Sequence, residues 1–314
     1  MRKTVHILTL ILGIALACPD LAAAAEPLRF IFITTCRDEA FFRPVKKGME
    51  EAAKRMNVEC EFTGTEGVDV KAQAAMVRKA VADGYDGIAL NIIDPEAFDA
   101  VVQEAAERGV PVVAFNVDDH RSPNARLSAV VQQFDKAGRA LGRRASEFVP
   151  DGTRVLMTVH DEGISALEQR LRGAQEVLKA KNVTWKVIAT GTQPERAAQL
   201  IAKTLRENPD IKTVLCTGQA DTEGAGLAVE QHFSGKGYAV AGFDLSPNIL
   251  RLIKAGHVRF TIDQQPYAQG FYPVVQLALY CRYGIMPANM DAGAGIIDKH
   301  NVDDVIDLNK TEHR

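Results

Sequence analysis

The sequence predicts an α/β protein wound into two similar lobes. Three observations predict it. Short apolar segments rich in β-formers alternate with amphipathic segments of helical period, and the alternation runs twice with no flexible joiner. The length of 314 residues suits two moderate cores better than one. Strands separated by helices of about 10–15 residues make βαβ units, and hence parallel sheets. The strands are continuously apolar, as expected where helices cover both faces.

In chain order, residues 28–34 (LRFIFIT) read as the first strand. Residues 42–56 place Val45, Met49, Ala52, Ala53 and Met56 on one helical face. A strand at 58–63 and a helix at 68–83, ending at Gly84, lead to a third strand at 87–91 (GIALN). Asp94-Pro95 has the form of an N-cap followed by proline at the first helical position. That helix buries Phe98, Val101, Val102, Ala105 and Ala106 and stops at Gly109, before a fourth strand at 111–115 (PVVAF). The second round has helices at 134–149, 164–179, 194–208, 221–231, 247–255 and 266–283. Its strands fall at 153–158, 183–188, 213–216, 240–243 and 258–262.

The first 25 residues read as a secretory leader. Arg2 and Lys3 precede an apolar run of about 13 residues, and Ala23-Ala24-Ala25 supplies small residues at a cleavage site. The run is too short for a membrane span, which needs roughly 18 or more. Cleavage after about Ala25 makes the mature protein periplasmic. The rival reading, a lipoprotein cleaved before Cys18, fits the preceding Ala15-Leu16-Ala17 poorly. The net charge of −3 offers no basic field for nucleic acid or an anionic membrane, so no nucleic-acid partner is expected. Cys36, Cys60, Cys216 and Cys281 are widely spaced with no CxxC pair, which argues against a zinc site. Cys36 and Cys60 lie near the ends of the first two strands. A disulfide between them and two buried thiols are both open readings.

In open parallel sheets, ligands bind beyond the carboxyl ends of the strands. Those ends carry Thr35 with Phe41 and Phe42; Asn91; Asn116 with Asp118 and Asp119; His160 to Arg170; Gln219 and Asp221; Asp244; and Gln264. Planar amides, carboxylates and guanidinium groups make paired hydrogen bonds to neighbouring hydroxyls, and an aromatic face covers the C–H side of a sugar ring. The set suits a neutral polyhydroxylated ligand. Asp221 and Asp94 are also cap candidates, and one of Phe41 and Phe42 is expected in the core. GxGxxG after the first strand, GxxxxGK[ST] and HExxH are missing, so neither a cofactor nor a metal is expected. Ser165, His160 and Asp161 invite a catalytic-triad reading, but Leu167 stands where a nucleophile elbow needs its second glycine.

The segments AFFRPVKKGMEEAAK (40–54), DGIALNIIDPEAF (86–98), VPVVAFN (110–116), DKAGRALG (135–142), SALEQRLRGAQEVL (165–178), VAGFDLSP (240–247) and FTIDQQPYAQG (260–270) carry a resemblance. In their order and spacing the chain resembles the periplasmic sugar-binding proteins of ABC transporters, the ribose-binding type of the type I periplasmic binding fold. The resemblance implies two Rossmann-like lobes with parallel sheets, joined by a three-strand hinge, with a ligand closed between them. It places one lobe at 26–130 plus 264–292 and the other at 131–263 plus 293–314, with crossovers near 129–132, 263–264 and 291–296. The implied ligand-binding set is Thr35, Phe41, Phe42, Asn116, Asp118, Arg170, Gln219, Asp221, Asp244 and Gln264. Glu39 stands where an Asn is usual, Val117 where ribose binders have Arg, Gly218 near an expected Asn, and Thr192 near an expected aromatic. A sugar or polyol other than ribose is therefore expected.

The implied function is extracytoplasmic capture of that sugar or polyol by a non-enzymatic monomer, and its delivery to an ABC permease in the inner membrane. A sensing role towards a membrane sensor or chemoreceptor uses the same fold. So does a LacI-like effector domain, whose helix-turn-helix would have to stand where the leader is.

Overall fold

The computed structural model describes residues 26–94, 96–118 and 124–314. The leader with its Cys18 alternative, Pro95 and Asp119 lie outside these residues. The chain runs β1 (Arg29–Thr34), α1 (Phe42–Met56), β2 (Glu59–Gly64), α2 (Val70–Ala82), β3 (Gly87–Leu90), α3 (Asp99–Glu107), β4 (Val112–Asn116) and β5 (Ser128–Val131). It continues through α4 (Phe134–Ala145), β6 (Arg154–Val159), α5 (Ser165–Lys179), β7 (Thr184–Ala189), α6 (Pro194–Glu207), β8 (Thr213–Cys216) and α7 (Gln219–Ala228). After one wide helical turn come β9 (Ala239–Phe243), α8 (Pro247–Lys254), β10 (Phe260–Asp263), α9 (Pro266–Tyr283), β11 (Met290–Asp291), β12 (Gly295–Asp298) and α10 (Val302–Lys310).

Two six-stranded sheets result, ordered β11-β5-β4-β3-β1-β2 and β12-β10-β9-β8-β6-β7. Each contains the doubly wound order 2-1-3-4-5, whose switch point lies between its first and third strands. In the first sheet that point is between β1 and β3, and in the second between β6 and β8. The chain passes between sheets after β5, after β10 and between β11 and β12. All pairings are parallel except β10 with β12, where the chain returns from its third crossing in the opposite sense. The sequence pattern gave no sign of this, because β5, β11 and β12 are two to four residues long.

The central strands β1, β3, β4, β6, β8 and β9 are buried almost throughout. The edge strands β2 and β7 are half-exposed and carry the polar residues. Apolar clusters lie on both faces of each sheet: Phe30, Phe32 and Phe115 on one face of the first, Phe243 and Phe260 on one face of the second. Helix pairs close over these faces through glycine. A Cβ on Gly48 or Gly270 would overlap the main-chain oxygen of Tyr267 or Val45, so α1 and α9 touch backbone to backbone. Gly138 and Gly173 do the same for α4 and α5, against Arg170 and Asp135.

Two helix starts differ from expectation. Asp94 Oδ1 accepts the N–H groups of Glu96 and Ala97 at 2.9 and 3.0 Å, which holds a turn. Helix α3 begins only at Asp99, and Ala106 faces solvent. Helix α7 begins at Gln219 with Gly218 as its N-cap. No helix among the described residues is long and apolar enough to cross a membrane.

Candidate functional site

The carboxyl ends of both sheets border a cleft of about 630 Å³. From the first sheet Thr35, Cys36, Glu39, Phe41, Phe42, Asn91 and Asn116 line it. From the second come His160, Arg170, Gln219 and Asp244, with Gln264 at a crossing. Backbone strain gathers here. Cys36, Asn116, Asp244 and Gln265 adopt positive φ values of 51°, 62°, 70° and 51° at strand ends and crossings. Left-handed conformations of non-glycine residues cost free energy and persist where surrounding structure imposes them, often at ligand sites. Asn116 closes β4 and Asp244 follows β9, equivalent places in the two sheets.

Arg170 is the central group of the second sheet's wall. It is only 2 % exposed. Its Nε donates to Gln132 Oε1 at 3.0 Å and its Nη1 to the Thr217 carbonyl at 2.9 Å, while Asp244 Oδ2 lies 3.9 Å from Nη1. The guanidinium lies 4.2 Å from the ring centre of Phe243 and 5.2 Å from that of Phe134. Nη2 is buried with no partner among the described residues. Burial pulls the Arg170 pKa down, against the attraction of Asp244 and Asp221. Burial raises the Asp244 pKa, while Arg170 and a 2.6 Å hydrogen bond from Gln264 Nε2 oppose the shift. An unmet donor on a buried arginine is the kind of group a ligand oxygen satisfies.

The aromatic pair divides as the sequence led us to expect. Phe42 packs into the core and Phe41 is half-buried, their ring centres 5.2 Å apart; both contribute to the cleft wall. Thr35, Asn116, Gln219 and Gln264 also line the cleft.

Two expected ligand residues lie elsewhere. Asp221 is fully buried and accepts from Thr158 Oγ1 at 2.6 Å and from the Thr217 and Gly218 N–H groups at 2.9 Å each. It caps α7 from inside the helix. Burial pushes its pKa up to about 6 despite those bonds. Asp118 accepts from Arg126 Nη2 at 2.6 Å and borders a separate cavity with Gln133 and Asp291. The Cys36–Cys60 bridge is also absent: both are free thiols, and burial raises them to about 11 and about 12.

Asn91 and His160, noted at strand ends in the sequence but outside the ligand-binding set the resemblance implies, also line the cleft. His160 packs where Gly218 has no Cβ to obstruct it. Burial holds its pKa down to about 4, and its Nδ1 has no partner. The Asp161 Oδ1 accepts from the Glu162 N–H, so no Ser–His–Asp relay is assembled among the described residues. A histidine depressed from 6.5 to about 4 contributes stability in full above pH 6.5 and loses it as pH falls towards 4. At pH 5 the loss amounts to about 2 kcal/mol. We expect urea denaturation to show a pH 7.5-to-5 loss smaller by about that amount in His160→Gln than in the unaltered protein. Equal losses in both would remove His160 as the cause. Asp221 works in the opposite sense between 3.8 and about 6, but equally in both proteins.

Residues 30–284 match the model of the periplasmic binding protein domain. The chain belongs to the periplasmic binding protein family. Among its relatives in this family is the xylose/arabinose-binding protein XylF of Sulfolobus acidocaldarius, 30% identical over 291 residues, covering 87% of this chain and 72% of that one. The ribose import binding protein RbsB of Bacillus subtilis is 25% identical over 85% of this chain and 89% of its own. A carbohydrate transporter from Acidothermus cellulolyticus, solved in complex with myo-inositol, is 29% identical. It superposes with a TM-score of 0.81, covering 92% of this chain and all of that one. The names of these three proteins give binding, import or transport of a carbohydrate. In the present member the fold is the family's two-sheet α/β architecture.

Proposed function

We propose that the protein is the extracytoplasmic binding component of an ABC importer, and that it captures an uncharged sugar or polyol between its lobes without chemical change. The observation that carries this is the cleft wall itself. A buried arginine with one free donor, a carboxylate and several amides converge at the switch points of two sheets, beside an aromatic side chain. Among the described residues the lining holds Asp38, Glu39, Glu66, Asp161 and Asp244 against Arg170 alone, which disfavours an anionic guest. At about 630 Å³ the cleft falls within the roughly 300–1,000 Å³ usual for a small-molecule pocket, and in this reading closure of one lobe on the other completes the capture.

In this reading Arg170 and Asp244 grip hydroxyls, Phe41 covers a ring face, and Thr35, Phe42, Asn116, Gln219 and Gln264 shape the remaining wall. The lobes at 26–130 plus 264–292 and 131–263 plus 293–314 move as units about the three crossings. The protein works as a periplasmic monomer after removal of residues 1–25, and its closed form docks on a permease. The xylose/arabinose-binding relative and the neighbour holding myo-inositol support the ligand class.

A thermal-shift screen with D-xylose, L-arabinose, D-ribose, myo-inositol and spermidine tests it. A guest present at about 100 times its Kd stabilises the folded state by about 2.7 kcal/mol, which raises Tm by several degrees. At least one of the four neutral compounds should do so. A shift produced by spermidine and by none of the neutral compounds would refute the reading.

A further inference from the structure

Beneath the cleft runs a chain of side-chain amides whose direction is fixed at both ends. Gln264 Nε2 donates to Asp244 Oδ1 at 2.6 Å. Gln269 Nε2 donates to the main-chain oxygen of Gln264 at 2.7 Å and to its Oε1 at 3.2 Å. Asn116 Nδ2 donates to Gln269 Oε1 at 3.2 Å, and Asn91 Nδ2 to Asn116 Oδ1 at 2.8 Å. Asn91 Nδ2 also donates to Thr34 Oγ1 at 3.1 Å, whose own proton goes to the Thr35 carbonyl at 3.0 Å.

A carboxylate and a main-chain carbonyl only accept. Asp244 and the Gln264 carbonyl therefore dictate which end of each amide faces its neighbour. Turning one amide over would set donor against donor or oxygen against oxygen. The four amides all donate in one sense, from the first sheet through the second crossing to the second sheet, and such chains polarise along their length. The consequence falls on the last member. Asn91 lines the cleft, and its Oδ1 is buried without a partner among the described residues. Gln269 is fully buried and outside the lining, at the start of α9.

We infer that Asn91 Oδ1 is an acceptor subsite that reads one hydroxyl of the captured sugar as a hydrogen-bond donor, and that Gln269 is the positioning residue that sets this polarity. The inference rests on the sugar-binding reading and adds the direction of one contact.

Calorimetry decides it with whichever of D-xylose, L-arabinose, D-ribose and myo-inositol binds tightest, together with its monodeoxy and monofluoro analogues. Fluorine accepts weakly and cannot donate. At one ring position the deoxy and fluoro analogues should both lose about tenfold in affinity. In Asn91→Ala and in Gln269→Leu that positional penalty should shrink to below about threefold, while penalties at other positions persist. A purely structural role for Gln269 would lower all affinities together and leave the positional profile intact. Should Gln269→Leu fail to fold, Gln269→Met serves, and the analogue series on the unaltered protein tests the polarity by itself. Fluoro analogues that bind like the parent sugar at every position where deoxy analogues fail would overturn the inference. So would a full positional penalty in the folded Gln269 variant. An unaltered protein that binds none of the four compounds overturns the sugar-binding reading itself, and the inference with it.

Discussion

Replacing Arg170 with alanine is expected to lower affinity for the captured sugar by about ten- to a hundredfold, and to destabilise the unliganded protein by about 3 kcal/mol. Two separate losses are involved. Charge-assisted hydrogen bonds to ligand oxygens contribute about 1.5–3 kcal/mol, which is the affinity term. Removing one member of a buried charge pair typically costs about 3–5 kcal/mol, because the other charge stays buried. The lower end applies here, since the Arg170–Asp244 separation is 3.9 Å and Gln264 still donates to Asp244. The variant also frees the Gln132 Oε1 and the Thr217 carbonyl from their partner.

A pH signature separates the stability term from simple loss of packing. Without Arg170 the Asp244 pKa rises further above 3.8, so the folded state holds its proton where the unfolded state has released it. Stability of the variant then falls as pH rises through that window, and its deficit should be smaller at pH 4 than at pH 7.5. Calorimetry and urea denaturation measure the two terms. Unchanged affinity would show that Arg170 serves the wall only as structure.

The second large effect is expected from Gly138→Ala. The added methyl overlaps the main-chain oxygen of Arg170, which is backbone and cannot rotate aside. Helices α4 and α5 must separate, and overpacking of that kind costs about 1–3 kcal/mol or more. The displaced helix also carries Arg170, so its forked contacts to Gln132 and Thr217 shift with it. We expect a Tm lower by several degrees together with a roughly tenfold weaker Kd. A variant within 0.5 kcal/mol of the unaltered protein by urea denaturation would show that the helix pair has slack at this crossing.

The element order was legible because apolar periodicity is a local property. The ranges expected for α1 and α9 agree with the structure to the residue, and most strands agree within one or two positions. What escaped were elements held by their neighbours rather than by their own pattern. Strands β5, β11 and β12 are short pieces of the crossings and exist because the sheet edges pair with them. Arg170, Asp244 and Gln264, expected from strand-end position and from the family's motifs, line the cleft. Asp221 was expected both as a cap and as a ligand group, since a carboxylate near a helix start serves equally as either; its burial and partners make it a cap. Asn91 stood at a strand end inside the 86–98 segment, but the set implied by the resemblance did not include it. Gln269 lies in the 260–270 segment but was not singled out, since an amide inside a helix resembles any polar surface position.

Residue order by itself determined the α/β alternation, the two-lobe repeat and the polar character of the strand ends, because each follows from the side chains' own period and chemistry. The tertiary structure alone decided which of those polar groups share a cleft, which are spent on caps and ion pairs, and which atoms of Arg170, Asn91 and His160 are left without partners. The physical reason is that a hydrogen bond needs two groups within about 3 Å, and at this site Asn116 and Gln269, which share one, stand 153 residues apart in the chain.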